Sequence, residues 1–238
     1  MPLPKLATPT YELEVPSTGK KIKYRPFLVK EEKILLLAME TEDETQMANA
    51  VKVILGNCIQ SPRFKIDSLS LFDIEYIFLN IRGKSVGESI ELNVTCPDDE
   101  ETVVKVEVDI DDIKIQKTKG HSNIVKLTDT VSVVMKYPSM DLFIKQNLKS
   151  ETSQVDDVFE IASLCIDQVI DGEDVFESSS FSKKEVLAFL EEMDTQQFLK
   201  VQEFFETMPK LSHTIKVTNP KTKVKSDVVI EGLQSFFA

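Results

Sequence analysis

Residues 92–97 read LNVTCP and residues 215–220 read IKVTNP. In both, apolar and polar residues alternate with a period of two, the mark of a strand with one buried face, and a proline then closes the strand. Each is followed by a turn and a second alternating stretch, TVVKVEVDI after the first and KVKSDVVIEGL after the second. The chain therefore carries one hairpin pattern twice. The first tip is acidic, with Asp98, Asp99, Glu100 and Glu101, and the second is basic, with Lys221, Lys223 and Lys225.

Outward from these hairpins the two halves keep the same order. YELEVPSTGKKIKYRPF (11–27) is a hairpin around a Pro-Ser-Thr-Gly turn. Helical spacing then takes over in VKEEKILLLAM, and again in a segment with Met47, Val51, Ile54, Leu55, Cys58 and Ile59 on one face. A third helix starts at the Ser70-x-x-Asp73 capping pattern. In the second half NIVKLTDTVSVVMKYP (123–138) is a pair of strands, with Pro138 placed as Pro26 is. Val155, Val158, Phe159, Ala162, Cys165, Ile166 and Val169 follow at helical spacing. FSKKEVLAFLEEM (181–193) opens with a Ser182–Glu185 capping box and a Phe181–Val186 staple, and TQQFLKVQEFFET stops before Pro209.

Both halves read hairpin, helices, hairpin, and the sequence predicts an α+β fold of two similar halves made by internal duplication. Matching the GNCI of residues 56–59 to the SLCI of residues 163–166 makes Cys58 and Cys165 buried equivalents, not a disulfide. Pro2, Pro4 and Pro9 make residues 1–9 an extended arm; the halves are 10–120 and 121–238, and the helix at 182–193 is extra in the second.

The 238 residues suffice for one large domain or two ordinary ones, and a hydrophobic content of 42% supports a sizeable core. A net charge of −12 repels nucleic acid and anionic membrane at long range, which argues against both as partners. The basic stretch NPKTKVK also lacks an interleaved aromatic for base stacking. Three widely spaced cysteines point to a reducing compartment. MPLPKLATPT has no apolar core of a signal peptide, and ILLLAM (34–39) is too short to span a bilayer.

Reactive constellations are missing from the pattern. Neither His121 nor His213 has a partner at metal-ligand or triad spacing. Cys96 stands alone where a zinc knuckle needs a second cysteine, so it reads as a small turn residue. The acidic tip lacks the alternate oxygen ligands, glycine and closing glutamate of an EF-hand. Asp109, Asp111 and Asp112 are the rival reading, a metal-dependent hydrolase, but acid–base work by paired carboxylates needs a pocket to raise one pKa. No phosphate loop, G-x-S-x-G elbow or H-E-x-x-H occurs. The expectation is a protein with no catalytic residues, no cofactor and no metal.

VPSTGKKIKYRPFLVKEEKILLLA (15–38) and FDIEYIFLNIRGKSVGE (72–88) resemble the baseplate hub proteins of T-even-like contractile-tailed bacteriophages, a hub subunit and a related hub assembly factor. The resemblance lies in the first half. It implies a non-enzymatic component of the tail baseplate hub that acts in assembly by contact with other hub and tail proteins. Its place would be the host cytoplasm during assembly and then the virion tail baseplate; the alternative is a hub assembly chaperone absent from the mature virion. Some members carry further cysteines at the middle hairpin; here only Cys96 is present, so no metal role carries over. The residues expected to meet partners are those of the two tips, with Phe236 and Phe237 of the terminal LQSFFA as a docking element.

Overall fold

A computed structural model of the chain describes residues 6–41, 43–147 and 154–232. Among them it is a mixed α/β protein with seven α-helices and several small antiparallel sheets. Two compact units divide it. One is built from the residues up to Gln116 together with those from Lys210 onward, and the other is Lys117–Pro209.

The first unit opens with hairpin β1 (Tyr11–Glu14) and β2 (Lys21–Tyr24), in register Tyr11 to Tyr24 and Glu14 to Lys21. Gly19 donates to Val15 O at 2.8 Å with a φ of +67°, a left-handed turn position that suits glycine. The period of two puts Ile22 and Tyr24 inside and Lys21 and Lys23 outside. Three helices follow, α1 (Val29–Met39), α2 (Glu44–Cys58) and α3 (Leu71–Val86), each packed on the next. Their inner faces bury Leu35, Ile54, Leu55, Ile77 and Phe78, each contributing about 1.5–3 kcal/mol by leaving water. The predicted cap at the start of α3 is present with an addition. Ser70 Oγ accepts from Asp73 N at 3.4 Å, while Asp73 Oδ1 accepts from Ser17 N at 2.9 Å and ties the first hairpin turn to the helix. The chain continues through β3 (Ser89–Thr95), β4 (Val103–Asp109), a 3₁₀ turn at Ile110–Asp112 and β5 (Lys114–Gln116).

The second unit holds β6 (Ile124–Lys126), β7 (Val131–Met135), α4 (Met140–Asn147), α5 (Gln154–Cys165), β8 (Ile166–Asp171), β9 (Asp174–Glu177), α6 (Lys183–Glu191) and α7 (Thr195–Thr207). Its sheet has the order β6-β7-β8-β9. Ile166 and Val169 are not helical, as their spacing predicts, but belong to β8. Val169 pairs with Val133 and Ile170 with Ser132, so cross-strand partners outweigh a spacing that fits either structure. At the start of α6 the predicted capping box is present, with Ser182 N donating to Glu185 Oε2 at 2.6 Å, and Phe181 and Val186 share one apolar cluster.

The chain then re-enters the first unit as β10 (Lys210–Thr218) and β11 (Lys225–Glu231). β10 lies between β11 and β5, with Leu211 opposite Ile115. The last hairpin, expected with the half 121–238, therefore sits in the first unit. Ile90, Leu92 and Val94 of β3 form one core with Leu79 of α3 and Ile215 and Val217 of β10.

One local arrangement occurs in both units. Tyr24, at the end of β2, bridges Ile59, and Arg25 N–H donates to Cys58 O at 3.0 Å. Met135, at the end of β7, pairs with Ile166, and Lys136 N–H donates to Cys165 O at 2.7 Å. In each case a hairpin leads into two helices, and the residue after the final cysteine returns to the hairpin's second strand.

Candidate functional site: the joined hairpin tips

The first tip is a turn built by its own backbone and one carboxylate. Cys96 N–H donates to Thr102 O at 2.8 Å and Glu100 N–H donates back to Cys96 O at 2.9 Å, with Glu100 at a φ of +55°. Asp99 accepts from Thr102 N at 2.9 Å, from Glu101 N at 3.2 Å and from the Thr102 hydroxyl at 2.5 Å. The Thr102 hydroxyl and then its N–H favour the ionised form and hold Asp99 well below the usual carboxylate range. Asp99 is thus engaged as turn scaffold.

The second tip repeats that geometry. Asn219 N–H donates to Val224 O at 2.9 Å and Lys223 N–H donates back to Asn219 O at 2.9 Å, with Lys223 at a φ of +67°. The Asn219 side chain is 1% exposed, and its Oδ1 accepts from Lys221 N at 2.8 Å and Thr222 N at 3.3 Å. This is the Asx turn that makes asparagine favourable at such corners.

Asp98 fastens the tips together. Asn219 Nδ2 reaches both of its carboxylate oxygens at 3.1 Å, and the Thr222 hydroxyl donates to Oδ2. The Thr222 bond first and the Asn219 bond second lower the Asp98 pKa. The opposite charges of the tips are not what joins them, since the second tip contributes an amide and a hydroxyl. Glu100, Glu101, Lys221, Lys223 and Lys225 remain exposed, and none of the five makes an ion pair. Cys96 is buried at the base of the turn, where burial and then Asp98 and Asp99 push its thiol pKa up, away from the reactive thiolate.

The remaining candidates lie elsewhere. Phe236 and Phe237 fall outside the described residues. Asp109 caps the 3₁₀ turn, accepting from Asp111 N at 2.9 Å, and Asp109, Asp111 and Asp112 are all exposed. Among the described residues no three His, Cys, Asp or Glu side chains are grouped to hold a metal ion. Cys58 and Cys165 are buried free thiols, pushed by burial to about 11 and about 12. His213 is half-buried on β10, opposite Ile230.

Two features gave no clear signal in the sequence. His121 places Nδ1 at 2.9 Å from Thr207 Oγ1 and Nε2 at 3.1 Å from the Tyr137 hydroxyl, with its ring 5.2 Å from Phe204. Thr207 spends its hydroxyl proton on Glu203 O, so it accepts from Nδ1–H and the neutral ring accepts from Tyr137. Burial lowers the His121 pKa in keeping with that neutral ring. Arg25 and the fully buried Glu31 form the second feature, an ion pair with a 3.0 Å contact beneath α1.

The family model of the T4 bacteriophage base plate protein matches residues 8–238, and the chain belongs to that family. No curated protein and no solved structure matches it. No helix among the described residues is long and apolar enough to cross a membrane.

Proposed function

We propose that this base plate protein is a structural subunit of the central baseplate hub, acting in tail assembly through protein–protein contacts and without catalysis. The joined tips carry this reading. Two hairpins far apart in sequence are fastened at Asp98 on a frame packed around α3, and five charges of both signs project from that frame without ion pairs. Exposed charges on a fixed frame add little to folding, about 0–1 kcal/mol for a surface pair, but they steer association and reject wrong partners. The partners are other hub and tail proteins, met in the host cytoplasm during assembly and retained in the virion tail.

We further propose that the chain arose by internal duplication. The support is the shared arrangement around Cys58 and Cys165 and the matching turns at Cys96 and Asn219. On this reading the last hairpin of the second copy docks beside that of the first, and Asp98 is the fastening that came with it.

Mass spectrometry of purified virions tests the hub role. A peptide signal in fixed proportion to other baseplate proteins is expected. Complete absence from virions, with hubs failing to form when the protein is withheld, would instead make it an assembly chaperone.

A further inference from the structure

We propose that a basic cleft in the first unit, beside the turn of the first hairpin, is a docking site for an acidic segment of a partner protein. The cleft has a volume of about 470 Å³ and runs between the β1–β2 turn and the loop from Ser61 to Leu69. Its lining holds four cations, Lys20, Lys21, Arg63 and Lys65, and no carboxylate. All four are exposed, and none makes an ion pair. Elsewhere in this unit lysines find carboxylates, as Lys23 does with Glu12 and Lys52 with Asp67. Four unpaired cations around one concavity therefore stand out in a chain of net charge −12.

Arg63 has a φ of +61°, a left-handed conformation where glycine would sit without strain and where arginine is uncommon. Like Glu100 and Lys223 it occupies a turn, and this turn brings to the cleft a guanidinium whose fork matches a carboxylate. Phe64, half-buried in the same lining, supplies an apolar wall, and buried Ile22 and Leu69 complete it. A carboxylate-bearing peptide with an apolar residue matches both features.

The occupant is a peptide and not a nucleic acid, because a net charge of −12 repels a long polyanion as a whole while four local cations suffice for a short acidic segment. This proposal deepens the hub reading by naming the chemistry of one partner, and rests on it only for where that partner is found.

The test is fluorescence anisotropy with the full chain and a fluorescein-labelled octapeptide of Asp and Glu with one central Leu. An oligodeoxythymidine of equal length is measured beside it. The variant pair is Arg63→Gly with Lys65→Gln, since glycine relaxes the left-handed position and the fold should survive, as a thermal melt will confirm. A control replaces Lys33, Lys114 and Lys216, exposed lysines outside both the cleft and the tips, with Ser. The expected result is peptide binding that weakens with salt and falls roughly tenfold or more in the cleft variant, with the control unchanged. Three results would overturn the proposal: no peptide binding at low ionic strength, an equal loss in the control, or tighter binding of the oligonucleotide. Self-association of the chain that the cleft variant abolishes would overturn it too, by assigning the cleft to a second copy. Virion content is measured separately, so a chain present in virions without peptide binding defeats this inference and leaves the hub reading intact.

Discussion

Asn219 donates its side-chain amide to both carboxylate oxygens of Asp98, at 3.1 Å each, across 121 residues of sequence. The same asparagine holds its own turn through Oδ1, so one side chain both shapes the second tip and binds it to the first. Local turn chemistry and long-range topology meet in it. The two tips thus present one joined surface.

Asn219→Ala should therefore cost more than a surface substitution. It removes the turn acceptor and the donors to Asp98 from a site that is almost fully buried, and about 1–3 kcal/mol of stability should be lost. Asp98→Ala should cost less, because Asp98 is exposed, and the double variant should lose less than the sum of the two. Urea denaturation of the three variants measures this. Strict additivity would mean that the tips fold independently.

Arg25 and Glu31 form the buried pair beneath α1. Burial alone would raise the Glu31 pKa, but the Arg25 guanidinium and the Leu28 N–H at 2.8 Å outweigh it and the net shift is downward. Arg25→Ala takes the closest cation from a buried carboxylate that keeps only Lys30 Nζ at 3.4 Å and the Leu28 N–H, and should destabilise by about 3 kcal/mol, the low end for a broken buried pair. Arg25→Met with Glu31→Leu should recover most of that loss, since it removes both charges at similar volume. Thermal and urea melts of the two variants distinguish a pair needed for stability from one that is replaceable.

Most secondary structure was legible in the sequence because its signals are local. The alternation in SIELNVT became β3, and Ser182 with Glu185 capped α6 as predicted. What failed was the segment after Cys165, where the spacing of Ala162, Cys165, Ile166 and Val169 suits a helix face but Val133 was the partner that decided the matter. That partner lies far back in the chain, and spacing does not report it. The tip residues were legible as charged turns. Their junction was not, because an Asn in a turn looks the same whether or not a carboxylate 121 residues away accepts from it. The His121 site was hidden for the same reason, with its partners 16 and 86 residues distant.

The three cysteines should be silent toward a thiol reagent in the native protein. All are buried and free, and burial pushes Cys58 to about 11, Cys165 to about 12 and Cys96 upward as well. At about pH 8 a free thiol is already partly thiolate, so protection here reports the fold. Labelling with a chromogenic disulfide should be slow in buffer and reach three thiols per chain in concentrated guanidinium chloride. Fast labelling of Cys96 alone would mean that the first tip opens on its own.

Acid should weaken the fold through named carboxylates. Glu31, Asp98 and Asp99 all have pKa values lowered in the folded protein. A group whose pKa is lowered by folding contributes stability that is fully present above its unfolded value, near 4, and is lost as pH falls through the folded value. Stability should thus be level from neutral pH down to about 5 and fall below about 4. Thr102→Val and Thr222→Val remove the hydroxyl that contributes most to Asp99 and to Asp98, respectively. Each should reduce the difference in urea midpoint between neutral and acid pH. An unchanged difference in both would place the acid sensitivity elsewhere.

On the proposed reading, the exposed tip charges act in association and not in folding. Asp98 and Asp99 are engaged within the turns, which leaves Glu100 and Glu101 on one tip and Lys221, Lys223 and Lys225 on the other. These five make no ion pairs, so reversing them removes no structural contact and stability should change by about 0.5 kcal/mol or less. Long-range attraction to a partner works differently, because it raises the encounter rate in proportion to complementary charge and is screened by salt. Two variants separate these effects: Glu100→Lys with Glu101→Lys, and Lys221→Glu with Lys223→Glu and Lys225→Glu. Both retain Asp98, Asp99, Asn219 and Thr222, so the junction stays intact. If the proposed hub reading holds, association with the hub partner should slow in at least one variant, by tenfold or so at low ionic strength, and the wild-type rate should fall as salt is added. Dissociation should change less than association, because charges that steer from a distance act before contact. Unchanged association rates in both variants at low ionic strength would reduce the tips to solvated turns, and the partner surface would have to be sought in the basic cleft beside the first hairpin.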